Sequence, residues 1–139
     1  MSTEENKAVV RRCYEEFGKG KEAAMAFMEE LCAPNYVWHD APPGTPPGLA
    51  GVKQAHNAFF TAFPDQRYTV EDLIAEGDKV VSRFTARATH QGEFMGVPAT
   101  GKVVTYTGIY ITRFAGGKRV EDWFCGDMLG LFQQFGVIP

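Results

Sequence analysis

The chain is poor in the side chains that most often carry metal, redox or nucleic-acid chemistry. Its 139 residues include three histidines, three cysteines and two tryptophans. Cys13, Cys32 and Cys125 are isolated and odd in number, so they read as reduced structural thiols rather than disulfide or zinc positions. His39, His56 and His90 fall in three separate segments with no cysteine at ligand spacing, and no metal is expected. Neither a P-loop nor a Gly-x-Gly-x-x-Gly fingerprint occurs, so nucleotide cofactors have no support and none is expected. Basic residues form no cluster and the net charge is −3, which argues against a nucleic-acid partner. No apolar run approaches the roughly 20 residues that span a bilayer. The polar start Ser2-Thr3-Glu4-Glu5-Asn6-Lys7 does not resemble a signal peptide, and a cytoplasmic location is expected. Repeats, linkers and low-complexity tails are absent too, so residues 1–139 read as one domain.

What the chain has in quantity is aromatic surface. Aromatic residues make up 13% of it, eleven of them phenylalanine, enough for a filled core or for the flat walls of a ligand cavity. Val9, Val10, Cys13, Tyr14 and Phe17 share one helical face behind a Ser2 or Thr3 cap, and Gly18 and Gly20 end that helix. A second helix is expected from about Lys21 to Cys32, then a short strand Tyr36–Asp40. Pro42, Pro43, Pro46 and Pro47 make the following stretch a loop. A third helix is expected over about Leu49–Phe63. Four alternating segments follow, Arg67–Glu76, Lys79–His90, Val103–Phe114 and Lys118–Cys125, and a short helix Met128–Phe135 capped by Asp127 closes the chain. Helices first and hairpin-linked strands afterwards predict an α+β fold with a mostly antiparallel sheet.

The densest motif lies between the second and third of those strands: Thr89-His90-Gln91-Gly92-Glu93-Phe94-Met95-Gly96-Val97-Pro98-Ala99-Thr100-Gly101. A loop so long and so rich in glycine is usually functional. The pattern resembles the corresponding segment of the SnoaL-like polyketide cyclases, or ester cyclases. Ala33–Asp40, Ala62–Asp65, Glu76–Val80 and Leu129–Gly136 resemble that family's other blocks in the same order, so the resemblance runs from about Val9 to Val137. It implies a cone-shaped domain of the nuclear transport factor 2-like superfamily, shared with ketosteroid isomerase, in which three N-terminal helices pack on a curved sheet around a pocket. It also implies cofactor-free proton abstraction next to a carbonyl, as in the intramolecular aldol closure of a polyketide ester.

Strand parity selects candidate site residues. Val80, Ser82, Phe84, Ala86, Ala88 and His90 form the covered face of their strand, so His90 is expected to end an apolar row at the pocket. In Lys118–Cys125 the two faces are Val120, Asp122, Phe124 and Arg119, Glu121, Trp123, Cys125, and polarity does not choose between them. The family pattern places a Trp-Asp pair here, its Asp serving as acid/base, whereas this chain has Trp123 followed by Phe124. Asp122, two residues earlier on the same face, is the first candidate base, alternatively a structural carboxylate paired with Arg119 or Arg113. His90 and His39 are the other catalytic candidates, each alternatively a loop anchor, and His56 reads as a packed or rim histidine. Trp38, Phe94, Tyr106, Tyr110 and Phe124 are the candidate walls for a small apolar carbonyl or polycyclic ligand. Asp122, Phe124 and His90 are expected to line one internal cavity. Isomerisation, dehydration or epoxide hydrolysis in that pocket, and non-catalytic binding of a hydrophobic ligand, stand as alternatives. The β-branched row Thr105, Thr107, Ile109 and Ile111 on the outer sheet face predicts a homodimer.

Overall fold

Ser2 starts the first helix as a capping box: its hydroxyl accepts from the Glu5 amide at 3.1 Å, and the Glu5 carboxylate accepts from the Ser2 amide at 3.3 Å. The computed structural model describes residues 2–139. Along them run α1 (Thr3–Gly18), α2 (Lys21–Leu31), β1 (Cys32–Trp38), α3 (Gly48–Ala62), β2 (Arg67–Glu76), β3 (Lys79–Thr89), β4 (Val103–Ala115), β5 (Lys118–Gly126) and α4 (Met128–Phe135). Asp127 caps α4 by accepting from the Gly130 amide at 2.9 Å, as expected. The first strand starts earlier than its aromatic core suggests, at Cys32, and stops at Trp38, leaving His39 and Asp40 beyond it.

The strands form a single sheet in the order β1-β5-β4-β3-β2, antiparallel except for the parallel β1–β5 pair. This is the expected α+β cone. Alternation in β3 buries Val80, Ser82, Phe84, Ala86 and Ala88, the face chosen by parity. Two β-bulges break the alternation in the antiparallel part of the sheet. In β2, Val70 pairs with Phe84 and Asp72 with Arg83, so Glu71 is an extra residue. In β5, Glu121 pairs with Arg113 and Arg119 with Phe114, so Val120 is extra. Such bulges bend a strand and sharpen its twist, which helps the sheet curl over the helices.

Three clusters of buried side chains hold the layers together. One joins α3, the sheet and α4 through Phe63, Ala86, Leu131 and Phe135. A second joins α1, α2 and the far end of the sheet through Val10, Phe27, Val80 and Phe114. The third gathers Met28, Tyr36, Trp38 and Val52 around β1. Where the three meet, a space remains unfilled. On the opposite, convex face Thr105, Thr107 and Ile109 stay exposed in the single chain, and Ile111 is half-buried. No helix among the described residues is long and apolar enough to cross a membrane.

Candidate active site

An inner cavity of ≈ 60 Å³ lies between α1, α3 and the concave face of the sheet. Its walls include Tyr14, Phe17, Phe84 and Tyr106, with His56, Tyr110 and Arg119 among its polar groups. Beyond it opens a wider cleft of ≈ 630 Å³, bounded by the proline loop, the outer side of α3, and Phe94 and Met95 of the glycine loop. Trp38, Phe59 and Phe124 line both spaces and so form the partition between them. Of the five expected wall residues, Trp38, Tyr106, Tyr110 and Phe124 stand at the inner cavity, while Phe94 stands at the cleft.

Phe124 keeps its place because two glycines leave room for its ring. A Cβ at Gly108 would sit 2.8 Å from Phe124 Cε1, and one at Gly126 would sit 2.6 Å from its Cζ. Both distances are below any ordinary contact, so a side chain at either position would push the ring out of its place. The ring then packs 4.6 Å from Tyr110 and edge-on to Trp38 at 6.3 Å. Its backbone amide donates to Asp40 Oδ2 at 2.7 Å, which ties the partition to the end of β1.

Asp122 points inward and is fully buried, but it is not open to the cavity. Thr112 donates to Oδ1 at 2.5 Å, while the Tyr36 hydroxyl and the Arg119 guanidinium both contact Oδ2. Both carboxylate oxygens are therefore occupied by protein donors. The cavity sees Arg119 instead, brought inward by the Val120 bulge; in a regular strand Arg119 would face outward, opposite Asp122. Burial alone would favour a neutral guanidinium, yet the facing Asp122 charge outweighs it and holds the Arg119 pKa well above its ordinary value. The same guanidinium lies 5.8 Å from the ring centres of Tyr36 and Tyr110, within cation–π range.

The other two catalytic candidates lie away from the cavity, which corrects the expectation that Asp122, Phe124 and His90 share it. His90 is fully buried between Phe135, stacked at 4.2 Å, and Phe63 at 5.5 Å. Its Nδ1 accepts from the Thr100 amide at 3.3 Å, which assigns the proton to Nε2. The apolar row of β3 does end at this imidazole, but the rings of Phe63 and Phe135 fill the space in front of it, and it pins the glycine loop. There Gly92 lies so close to α3 that a Cβ would come within 2.4 Å of the Thr61 carbonyl. His39 lies on the convex side, stacked on Trp123 at 4.8 Å, with Nε2 2.6 Å from Glu121 Oε2.

His56, read from the sequence as a packed or rim histidine, is the imidazole at the cavity. It stacks on Trp38 at 5.2 Å with an interplanar angle of 6° and meets the edge of Phe17 at 5.1 Å. Among the described residues it has no hydrogen-bond partner. Burial pushes its pKa down to about 3, with the Arg119 charge acting in the same direction, so it is neutral at pH 7. Four tyrosine hydroxyls add to the polar lining. Burial raises all four pKa values, to about 12 for Tyr106, and Tyr14 is fixed by a 2.7 Å hydrogen bond to Ser82. Among the described residues no cluster of three or more His, Cys, Asp or Glu gathers that could hold a metal.

Comparison with known proteins identifies the family. Over residues 8–135 the chain matches the model of the SnoaL-like polyketide cyclases. It belongs to that family. AclR from Streptomyces galilaeus, provisionally a hydroxylase, is 30% identical with a TM-score of 0.84 over 99% of this chain and 100% of that one. IdmH from Streptomyces antibioticus, provisionally a polyketide cyclase, is 35% identical with a TM-score of 0.77, covering 93% of this chain and 96% of its own. TsrD from Streptomyces laurentii is 28% identical with a TM-score of 0.82, covering 94% of this chain and 97% of its own. No curated protein matches the chain significantly. Membership in the SnoaL-like family supports a cyclase-type enzyme, and its fold explains why the cavity sits under the concave face of the sheet.

Proposed function

We propose that this chain is a cofactor-free cyclase-type enzyme that abstracts a proton next to a carbonyl, with His56 as the base. The observation that carries this reading is the contrast between two candidate bases. Asp122 has both oxygens occupied by Tyr36, Thr112 and Arg119, while the His56 imidazole lines the cavity, neutral and without a hydrogen bond. In the closure of a polyketide ester, His56 takes the proton from a carbon between two carbonyls. The enolate attacks a second carbonyl of the same molecule, and the imidazolium returns its proton to the resulting alkoxide. A pKa of about 3 describes the empty cavity, where a lone imidazolium would lie in apolar surroundings near Arg119. Proton transfer from the substrate creates imidazolium and enolate together, so no isolated charge is buried. The folded substrate conformation imposed by the aromatic walls supplies the positioning component of the rate.

Turnover against a panel of polyketide esters tests this assignment. His56→Gln is expected to lower kcat by at least about a hundredfold, the usual scale for a general base. Unchanged kcat in that variant would remove His56 as the base. A non-catalytic binding role would be favoured by a cavity whose polar groups were all bonded to the protein, and His56 does not fit that description. We also propose the homodimer suggested by the exposed row Thr105, Thr107 and Ile109. Light scattering at micromolar concentration should give twice the 15.4 kDa chain mass, and a monomer would refute it.

A further inference from the structure

Among the described residues six buried side-chain polar atoms lack a partner: Asn6 Oδ1, Trp38 Nε1, Asn57 Oδ1, Gln66 Nε2, His90 Nε2 and Arg119 Nε. Three of the six, Trp38 Nε1, Gln66 Nε2 and Arg119 Nε, belong to residues that line the inner cavity, and all three are donors. They come from separate parts of the chain: β1, the turn before β2, and the bulged strand β5. Each is held with its free N–H left over. The Tyr68 hydroxyl donates to Gln66 Oε1, which assigns the amide and leaves its nitrogen unpaired. Arg119 spends its two terminal nitrogens on Asp122 and on Cys13 Sγ at 3.7 Å, leaving Nε. Trp38 is held by the stacked His56. Buried donors without acceptors are costly and uncommon in native proteins, so three on one cavity point to acceptors that arrive with a ligand.

The charge of the cavity narrows the kind of acceptor. The Arg119 guanidinium is matched by Asp122, and the other titratable groups on the wall, Cys13, His56 and the buried tyrosines, are neutral at pH 7. A ligand carboxylate would lose its hydration and meet no net countercharge, whereas a carbonyl would meet donors at little desolvation cost. Size narrows it further: ≈ 60 Å³ admits only one edge of a molecule, and the ≈ 630 Å³ cleft beyond the Trp38–Phe59–Phe124 partition is where its body fits.

We propose that Trp38, Gln66 and Arg119 form a charge-balanced cup that reads neutral carbonyl oxygen, so that the substrate enters with an uncharged carbonyl edge leading and its apolar body in the cleft. The inference rests on the cyclase-type reading only in taking this cavity as the ligand site. It makes the three residues specificity determinants, separate from the base.

The test is equilibrium binding of three probes that differ at one carbon: 9-fluorenone, fluorene and fluorene-9-carboxylate. The protein should bind fluorenone at least about tenfold more tightly than either of the others, roughly the value of one well-made hydrogen bond. Trp38→Phe keeps an aromatic side chain and removes one donor; whatever the smaller ring does to the affinity common to all probes, the ratio of fluorenone to fluorene affinity should fall about fivefold. Asp122→Asn uncovers the Arg119 charge and should shift preference toward the carboxylate by about tenfold or more. Equal binding of fluorenone and fluorene, equal binding of the carboxylate, no binding of fluorenone, or an equal loss for all probes in Trp38→Phe would overturn the cup. Should Asp122→Asn not fold, the native protein and Trp38→Phe still decide. Absence of a carbonyl preference alongside His56-dependent turnover defeats the cup alone. A preference without turnover defeats the enzymatic reading and leaves the cup standing.

Discussion

Asp122→Asn should lower the free energy of unfolding by about 3–5 kcal/mol, a large share of the roughly 5–15 kcal/mol that holds a domain together. The reason lies in what the substitution leaves behind. Arg119 is only 15% exposed at its side chain, and its guanidinium stays protonated at any accessible pH. Without the carboxylate it is a buried charge with no partner of opposite sign, and Tyr36 and Thr112 lose a charged acceptor at the same time. Replacing the whole pair, with Arg119→Met and Asp122→Leu together, removes both charges and should cost much less. Urea unfolding at pH 7 of the native protein, Arg119→Met, Asp122→Leu and the double variant gives the coupling free energy directly. A coupling close to zero would mean that Arg119 finds another acceptor and that the pair is not a unit.

The second large effect concerns acid. In the unfolded chain His56 takes up a proton near pH 6.5, whereas in the folded protein burial delays uptake to about pH 3. Between those values the unfolded state binds more protons, so lowering the pH favours unfolding, at about 1.4 kcal/mol per unit for this one group. From pH 6.5 to pH 4 the loss attributable to His56 is about 3 kcal/mol. Above pH 6.5 the imidazole is neutral in both states and contributes no pH dependence. His56→Phe retains a ring to stack on Trp38 and has no proton to bind. Its stability should fall less steeply over the same window, while its difference from the native protein stays flat above pH 7. Parallel curves for the two proteins between pH 4 and 6.5 would show that His56 takes up protons in the folded state as readily as in the unfolded chain, and would also undermine its description as a desolvated base at the cavity.

The fold was largely legible because its signals are local. Alternation in Lys79–Thr89 identifies the covered face residue by residue, and Val80, Phe84 and Ala86 are indeed almost fully buried. The helices announce themselves by caps at Ser2 and Asp127. Site geometry was legible only where no irregularity intervened. Parity correctly turned Asp122 and Phe124 to the same side, but the extra residue Val120 inverted the phase upstream and brought Arg119 in beside Asp122. Nothing in the spacing of residues 118–125 signals a bulge, since its position depends on the pairing partner in β4. His90 was placed at the end of the right row, yet what stands in front of it comes from α3 and α4, distant in sequence. His56 reads as a packed or rim histidine for a related reason. Its helical position among Phe59 and Phe60 suggests packing, and only the tertiary fold reveals that the neighbouring space is empty. The exposed row on β4, by contrast, follows from simple alternation.

The two glycines beneath Phe124 have a bearing on how such a cavity is resized over time. Gly108 sits in the sheet behind both Phe84 and Phe124, and a methyl group there would come within 2.6 Å of Phe84 and 2.8 Å of Phe124. Its pressure would be directed away from the sheet, driving the rings into the passage between cavity and cleft. A single substitution at a position outside both compartments could therefore narrow the doorway without altering a base, a donor or a charge. Selectivity for ligand size can in this way drift independently of the chemistry, with sheet glycines acting as the adjusting screws.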